Sequence, residues 1–148
     1  MINRILAFAL LLAFTACVDY KNVEFLSLEN ATLNKISPSG IEADLWLKIK
    51  NPNDYKIKIE TKDLTFFING KEIGKARLTE QMELTKENTE TYKTGIVVSL
   101  PADGNIDLGM IMLMSGGKIT LGIKGEIIGK AKGISKTVPI DFTESISI

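Results

Sequence analysis

The chain has 148 residues, with 18 Lys and Arg set against 18 Asp and Glu, no His and one Cys. A formal net charge of zero provides no basic field for nucleic acid. Without histidine the commonest general base and metal ligand is missing, so no Ser–His or Cys–His nucleophile can be assembled. A single cysteine excludes an intramolecular disulfide.

Residues 1–16 read as a secretory signal. Arg4 supplies a short positive region and Ile5 to Phe14 an apolar run, too short for a bilayer core of about 30 Å. Phe14-Thr15-Ala16-Cys17 resembles a bacterial lipobox, with Phe14 where Leu is more usual. That resemblance implies cleavage before Cys17 and acylation of its sulfur and new amino group. Two or three acyl chains, at about 0.8 kcal/mol per buried CH₂, anchor a protein stably. Residues 17–22 then form a lipidated tether, and residues 23–148 one domain. Val18 stands where an inner-membrane retention signal would place Asp, so resemblance to Gram-negative lipoproteins implies the outer membrane, facing the periplasm or the cell surface.

Val23 to Ile36 reads as one long strand or two short ones, closed by the turn Ser37-Pro38-Ser39-Gly40. Ile41, Ala43, Leu45, Leu47 and Ile49 alternate with polar residues, which predicts a half-buried strand. Trp46 falls on its outward face: a partner anchor, or more commonly an aromatic lying over a sheet edge. Asn51-Pro52-Asn53-Asp54 predicts a tight turn, since Pro52 fixes φ and Asn53 tolerates left-handed backbone. Tyr55 to Ile59 is a second strand and Leu64 to Ile68 a third. Asn69-Gly70 signals a type I′ hairpin, with Lys71 to Ala76 returning through a bulge at Gly74.

Leu78 to Leu84 is a weaker strand pattern, and Lys86-Glu87-Asn88 a polar turn. Tyr92, Thr94, Ile96, Val98 and Leu100 share one strand face. Ile106 to Ser115 is the one predicted helix, capped by Asn105 and ended by Gly116-Gly117. Its apolar residues, among them Ile106, Met110, Ile111 and Met114, would plug one end of the domain, or offer an adaptable surface to a partner or acyl chain. Ile119, Leu121 and Ile123 resume strand alternation, and Val138, Ile140 and Phe142 end it. The fold class is all-β: an antiparallel sandwich of about seven strands with one short helix, an open barrel being the alternative.

The order of alternating strand, Asn51-Pro52-Asn53, second strand, and strand ending in Asn69-Gly70 resembles the late embryogenesis abundant type 2 family, also called the water stress and hypersensitive response domain. The resemblance runs from about Val23 to Phe142 and takes in Val138-Pro139-Ile140. It implies an immunoglobulin-like or fibronectin III-like sandwich, an association with desiccation and stress tolerance, and no catalytic residue. It leaves Asn51, Pro52 and Asn53 a structural role in the turn.

Gly125 to Lys130 superficially matches a phosphate loop but is one residue short and followed by Ala131, so a glycine-marked hairpin or bulge is expected. Asp103 and Asp107 are better read as helix capping than as a calcium site. No cofactor or metal is expected. The first functional expectation is a membrane-tethered, non-enzymatic interaction or stress-protection module. The alternative is a carrier of lipid or another apolar ligand, and an apolar cavity of several hundred Å³ would favour it.

Overall fold

The computed structural model describes residues 19–102, 107, 109 and 116–147. Among the described residues eight strands follow in order: β1 (Glu24–Ser37), β2 (Gly40–Asn51), β3 (Ile57–Ile68), β4 (Lys71–Leu78), β5 (Met82–Leu84), β6 (Asn88–Ser99), β7 (Lys118–Ala131) and β8 (Ile134–Ser147). All pairings among them are antiparallel. The hydrogen-bonded order is β1-β2-β6-β4-β3-β7-β8, with β5 added on β3. The strands thus form one continuous sheet curled on itself, and the expected division into two separate sandwich layers is a finer description than the pairing supports. A short β4–β6 ladder, Lys75–Leu78 against Ser99–Ile96, makes the sheet continuous. The predicted helix over 106–115 lies outside the described residues except for Asp107 and Gly109.

Alternation builds the core. Ile41, Leu45 and Ile49 of β2 are buried, as are Thr94, Ile96 and Val98 of β6. One cluster gathers Leu64, Phe66, Ile73, Ile96, Val98 and Leu121. A second collects Ile49, Tyr55, Ile57, Ile59, Met82 and Leu84 beside the β2–β3 turn. Each fully buried aliphatic side chain stabilises the fold by about 1.5–3 kcal/mol.

β3 corrects the reading of two strands between Tyr55 and Ile68. It is a single strand with a bulge between Thr61 and Asp63. The bulge moves the inward row from odd positions (Ile57, Ile59) to even ones (Leu64, Phe66, Ile68), so the alternation breaks without the strand ending. Gly125 on β7 sits against that bulge with φ of 137°, and a Cβ there would lie 2.0 Å from the carbonyl oxygen of Asp63. The Gly125 to Lys130 stretch is therefore bulged strand. Asn69 and Gly70 take φ of 50° and 77°, as a type I′ hairpin requires.

β7 and β8 form a long hairpin that the sequence reading did not anticipate. Lys132 and Gly133, both with positive φ, make its turn. β1 and β8 are the two ends of the curled sheet. They face each other, and among the described residues no backbone ladder joins them. The rings of Phe25 and Phe142 bridge the gap with centroids 4.3 Å apart.

Candidate functional site

The Asn51-Pro52-Asn53 turn does more than reverse the chain. Asn51 is 1% exposed and uses its whole amide. Its Nδ2 donates to the carbonyl oxygens of Tyr55 (2.9 Å) and Thr85 (3.1 Å). Its Oδ1 accepts from the Asn53 backbone N–H (3.1 Å) and from Asn53 Nδ2 (3.0 Å). Asn53, 2% exposed, reaches in the other direction. Its Nδ2 donates to the Lys21 carbonyl at 2.8 Å, and its Oδ1 accepts from the Lys21 N–H at 2.7 Å. The Glu87 N–H donates to the Asn53 carbonyl at 2.8 Å. Buried amides must be satisfied or cost the fold free energy, and these two are satisfied by three separate chain segments.

The segment before β1 is therefore docked onto this turn. Tyr55 Oη donates to the Asp19 carbonyl at 3.4 Å, and the Lys136 ammonium lies 4.0 Å from the ring centroid of Tyr20. Tyr55 is 8% exposed. Burial pushes its phenol above the usual tyrosine range, with Tyr20, Asp54 and Asp19 adding to the shift. An unfolded phenol ionises first, so the stability tied to neutral Tyr55 is present below about pH 10 and is lost as pH rises through the folded value. Following phenolate absorbance against pH should show a late component that vanishes in Tyr55→Phe.

Behind Tyr20 and Tyr55, inside the curl, lies an apolar cavity of about 440 Å³. Ile49, Ile57 and Met82 form its floor, and Phe25, Val138 and Phe142 line its slot between β1 and β8. A second cavity of about 230 Å³ lies towards the other end of the gap, near Ile36, Ile119 and Ile146. Leu45 and Ile96 are walls of both. Large ring and aliphatic surfaces remain open along the gap, with Phe25 40% and Ile134 54% exposed.

Trp46 is half-buried on the outer face of β2, away from these cavities. The Lys93 ammonium covers its ring at 5.2 Å and forms an ion pair with Asp44 at 3.0 Å. The hydrogen bond to Lys93 holds the Asp44 carboxyl below its ordinary range. Cys17 and the residues Ile106, Met110, Ile111 and Met114 lie outside the described residues. Among the described residues no cluster of three or more His, Cys, Asp or Glu is placed to hold a metal.

The carrier alternative pointed to a cavity near Ile106 to Met114, and the sequence reading did not single out Tyr20, Tyr55, Lys132 and Lys136, which gather at the 440 Å³ cavity. One signal was available: Lys136 interrupts the apolar row Ile134, Val138, Ile140, Phe142.

Two solved structures share the fold. A crystal structure of a protein from Archaeoglobus fulgidus aligns with a TM-score of 0.52 at 12% identity, covering 84% of this chain and 98% of that one. The solution structure of a protein from Arabidopsis thaliana aligns with a TM-score of 0.52 at 16% identity, covering 91% of this chain and 89% of its own. No curated protein matches the sequence. The family profile described as late embryogenesis abundant protein matches residues 47–145, which include Asn51, Pro52, Asn53 and strands β3 to β7. The chain therefore belongs to the late embryogenesis abundant type 2 family.

Proposed function

We propose that this protein is a membrane-tethered, non-catalytic lipoprotein of the cell envelope whose domain shelters an apolar ligand. The observation that carries the reading is the 440 Å³ apolar cavity opening beside the docked segment 19–22. Ligand sites are typically concave, mostly apolar and about 300–1,000 Å³. Acylated Cys17 would stand two residues before Asp19, within about 7 Å of it along an extended chain. The anchor would then hold the Asn51–Asn53 end, and the cavity mouth with it, against the bilayer. A lipid could pass between membrane and cavity over a short path. In this reading the fold is an immunoglobulin-like sandwich, with layers β1-β2-β6 and β4-β3-β7-β8 joined through the β4–β6 ladder.

A role in desiccation or envelope-stress protection is the second reading, favoured by family membership. Mass spectrometry of lipids carried by the protein isolated from its own membrane separates the two. A stoichiometric lipid bound in the domain supports the carrier. Its absence, together with poorer survival of a deletion strain after drying, would replace the carrier with the protective module. The anchor has its own test: Cys17→Ala should move the protein from the membrane to the soluble fraction, and retention in the membrane would remove the tether from the proposal.

A further inference from the structure

The chemistry of the ligand is written at the mouth of the cavity. Side chains alternate along β8, so Lys136 belongs to the same row as Ile134, Val138, Ile140 and Phe142, which line the cavity with it. Its register partner on β7 is Gly129, which contributes no side chain. Lys132, in the β7–β8 turn, places its ammonium 4.9 Å from the ring centroid of Tyr55. Tyr20 and Tyr55, the rings beneath these two cations, both line the cavity.

Eight ion pairs join lysines to carboxylates among the described residues, and neither Lys132 nor Lys136 belongs to one. The acids nearby are Asp19 and Asp54, close enough to act on Tyr55, and Asp141, which is paired with Lys124 at 3.8 Å. Two ammonium groups thus sit over aromatic faces at the entrance of an apolar slot, without a carboxylate partner. Leu45 and Ile96 wall both this cavity and the second one, so apolar lining runs along the gap from Phe25 to Ile36.

We infer that the ligand is an acyl amphiphile with an anionic head, its chain lying in the slot between β1 and β8 and its head on Lys136 and Lys132. The inference rests on the reading of the cavity as a ligand site. A lysine in the inward row of an edge strand also discourages pairing with other chains. That simpler role would make Lys136 matter for aggregation and give it no effect on head-group preference.

The test uses the full acylated chain in phosphatidylcholine nanodiscs, photolabelled with a diazirine analogue of palmitate. Labelled peptides are mapped, and labelling is competed with palmitate, hexadecanol or phosphatidylglycerol. The expected result is labelling of the segment 134–142, with palmitate competing at least tenfold better than hexadecanol. Lys132→Ala with Lys136→Ala should erase that preference while leaving competition by hexadecanol intact. Gly129→Val, whose side chain projects towards Ile57 in the cavity, should abolish labelling. Competition by phosphatidylglycerol as strong as by palmitate supports the anionic head and identifies a phospholipid source; competition by palmitate alone supports it with a free fatty acid. Equal competition by palmitate and hexadecanol, or an unchanged preference in the double variant, overturns the head-group assignment and leaves the cavity as a ligand site. Absence of labelling in the cavity overturns both.

Discussion

Asn51→Ala is expected to lower stability by about 3–4 kcal/mol, from the cost of leaving buried polar groups without partners. The substitution removes four hydrogen bonds at a position 1% exposed. Volume loss is the smaller part of the effect. The carbonyls of Tyr55 and Thr85 and the amide groups of Asn53 would lose partners in a space where water cannot easily replace them. Asn51→Asp separates the two contributions, because it keeps the shape and exchanges the two donors for an acceptor. The new carboxylate would face two carbonyl oxygens, which raises its pKa above that of the unfolded chain. Its destabilisation should therefore be smallest at low pH and grow as pH rises through the carboxylate range. Denaturant unfolding at several pH values measures both variants. A loss for Asn51→Ala under about 0.5 kcal/mol, the ordinary range for a surface change, would show that the turn holds without its amide.

Gly125→Ala should destabilise by at least about 3 kcal/mol, while Gly129→Ala, four residues along the same strand, should be neutral or stabilising by about 0.4–1 kcal/mol. Gly125 has φ of 137°, and its Cβ would fall 2.0 Å from the Asp63 carbonyl oxygen and 3.0 Å from the Asp63 carbonyl carbon. Backbone cannot yield there without undoing the β3 bulge, and with it the inward placement of Leu64, Phe66 and Ile68. At Gly129 a Cβ meets the Ile57 Cγ2 at 3.6 Å and the Lys136 carbonyl oxygen at 3.9 Å, both ordinary contacts. Equal effects at the two positions in thermal or chemical unfolding would remove the bulge from the account of how β3 changes face.

The strands were legible because a half-buried sheet writes its period of two into the chain. Ile41 to Ile49 and Tyr92 to Leu100 bury the rows that the alternation marks. Asn69-Gly70 was legible because few other dipeptides fit a type I′ turn. β3 was divided in two because a bulge and a strand end break the alternation in the same way at Thr61–Asp63. The Lys132-Gly133 turn escaped because lysine is an uncommon choice for positive φ. Asn51 and Asn53 could be recognised as turn residues, but not as a junction of three segments. Their partners Lys21, Thr85 and Glu87 lie more than 30 residues away in the sequence. The place of the cavity was not legible, since it is space that side chains do not fill, and Lys136 within an apolar row was its one trace. Trp46, the residue most visible as a binding anchor, has its ring face covered by Lys93.

The seam between Glu24–Ser37 and Ile134–Ser147 carries no ladder, and its one aromatic bridge is Phe25 on Phe142. Parting the two edges there would break no backbone hydrogen bond between them, whereas parting any other neighbours along the curl would break several. The curled sheet is therefore open along a single line, like a split ring, and the remaining circumference is held by strand pairing. For the proposed carrier, that line is a route for sideways entry of an acyl chain, with no need to thread it through an end.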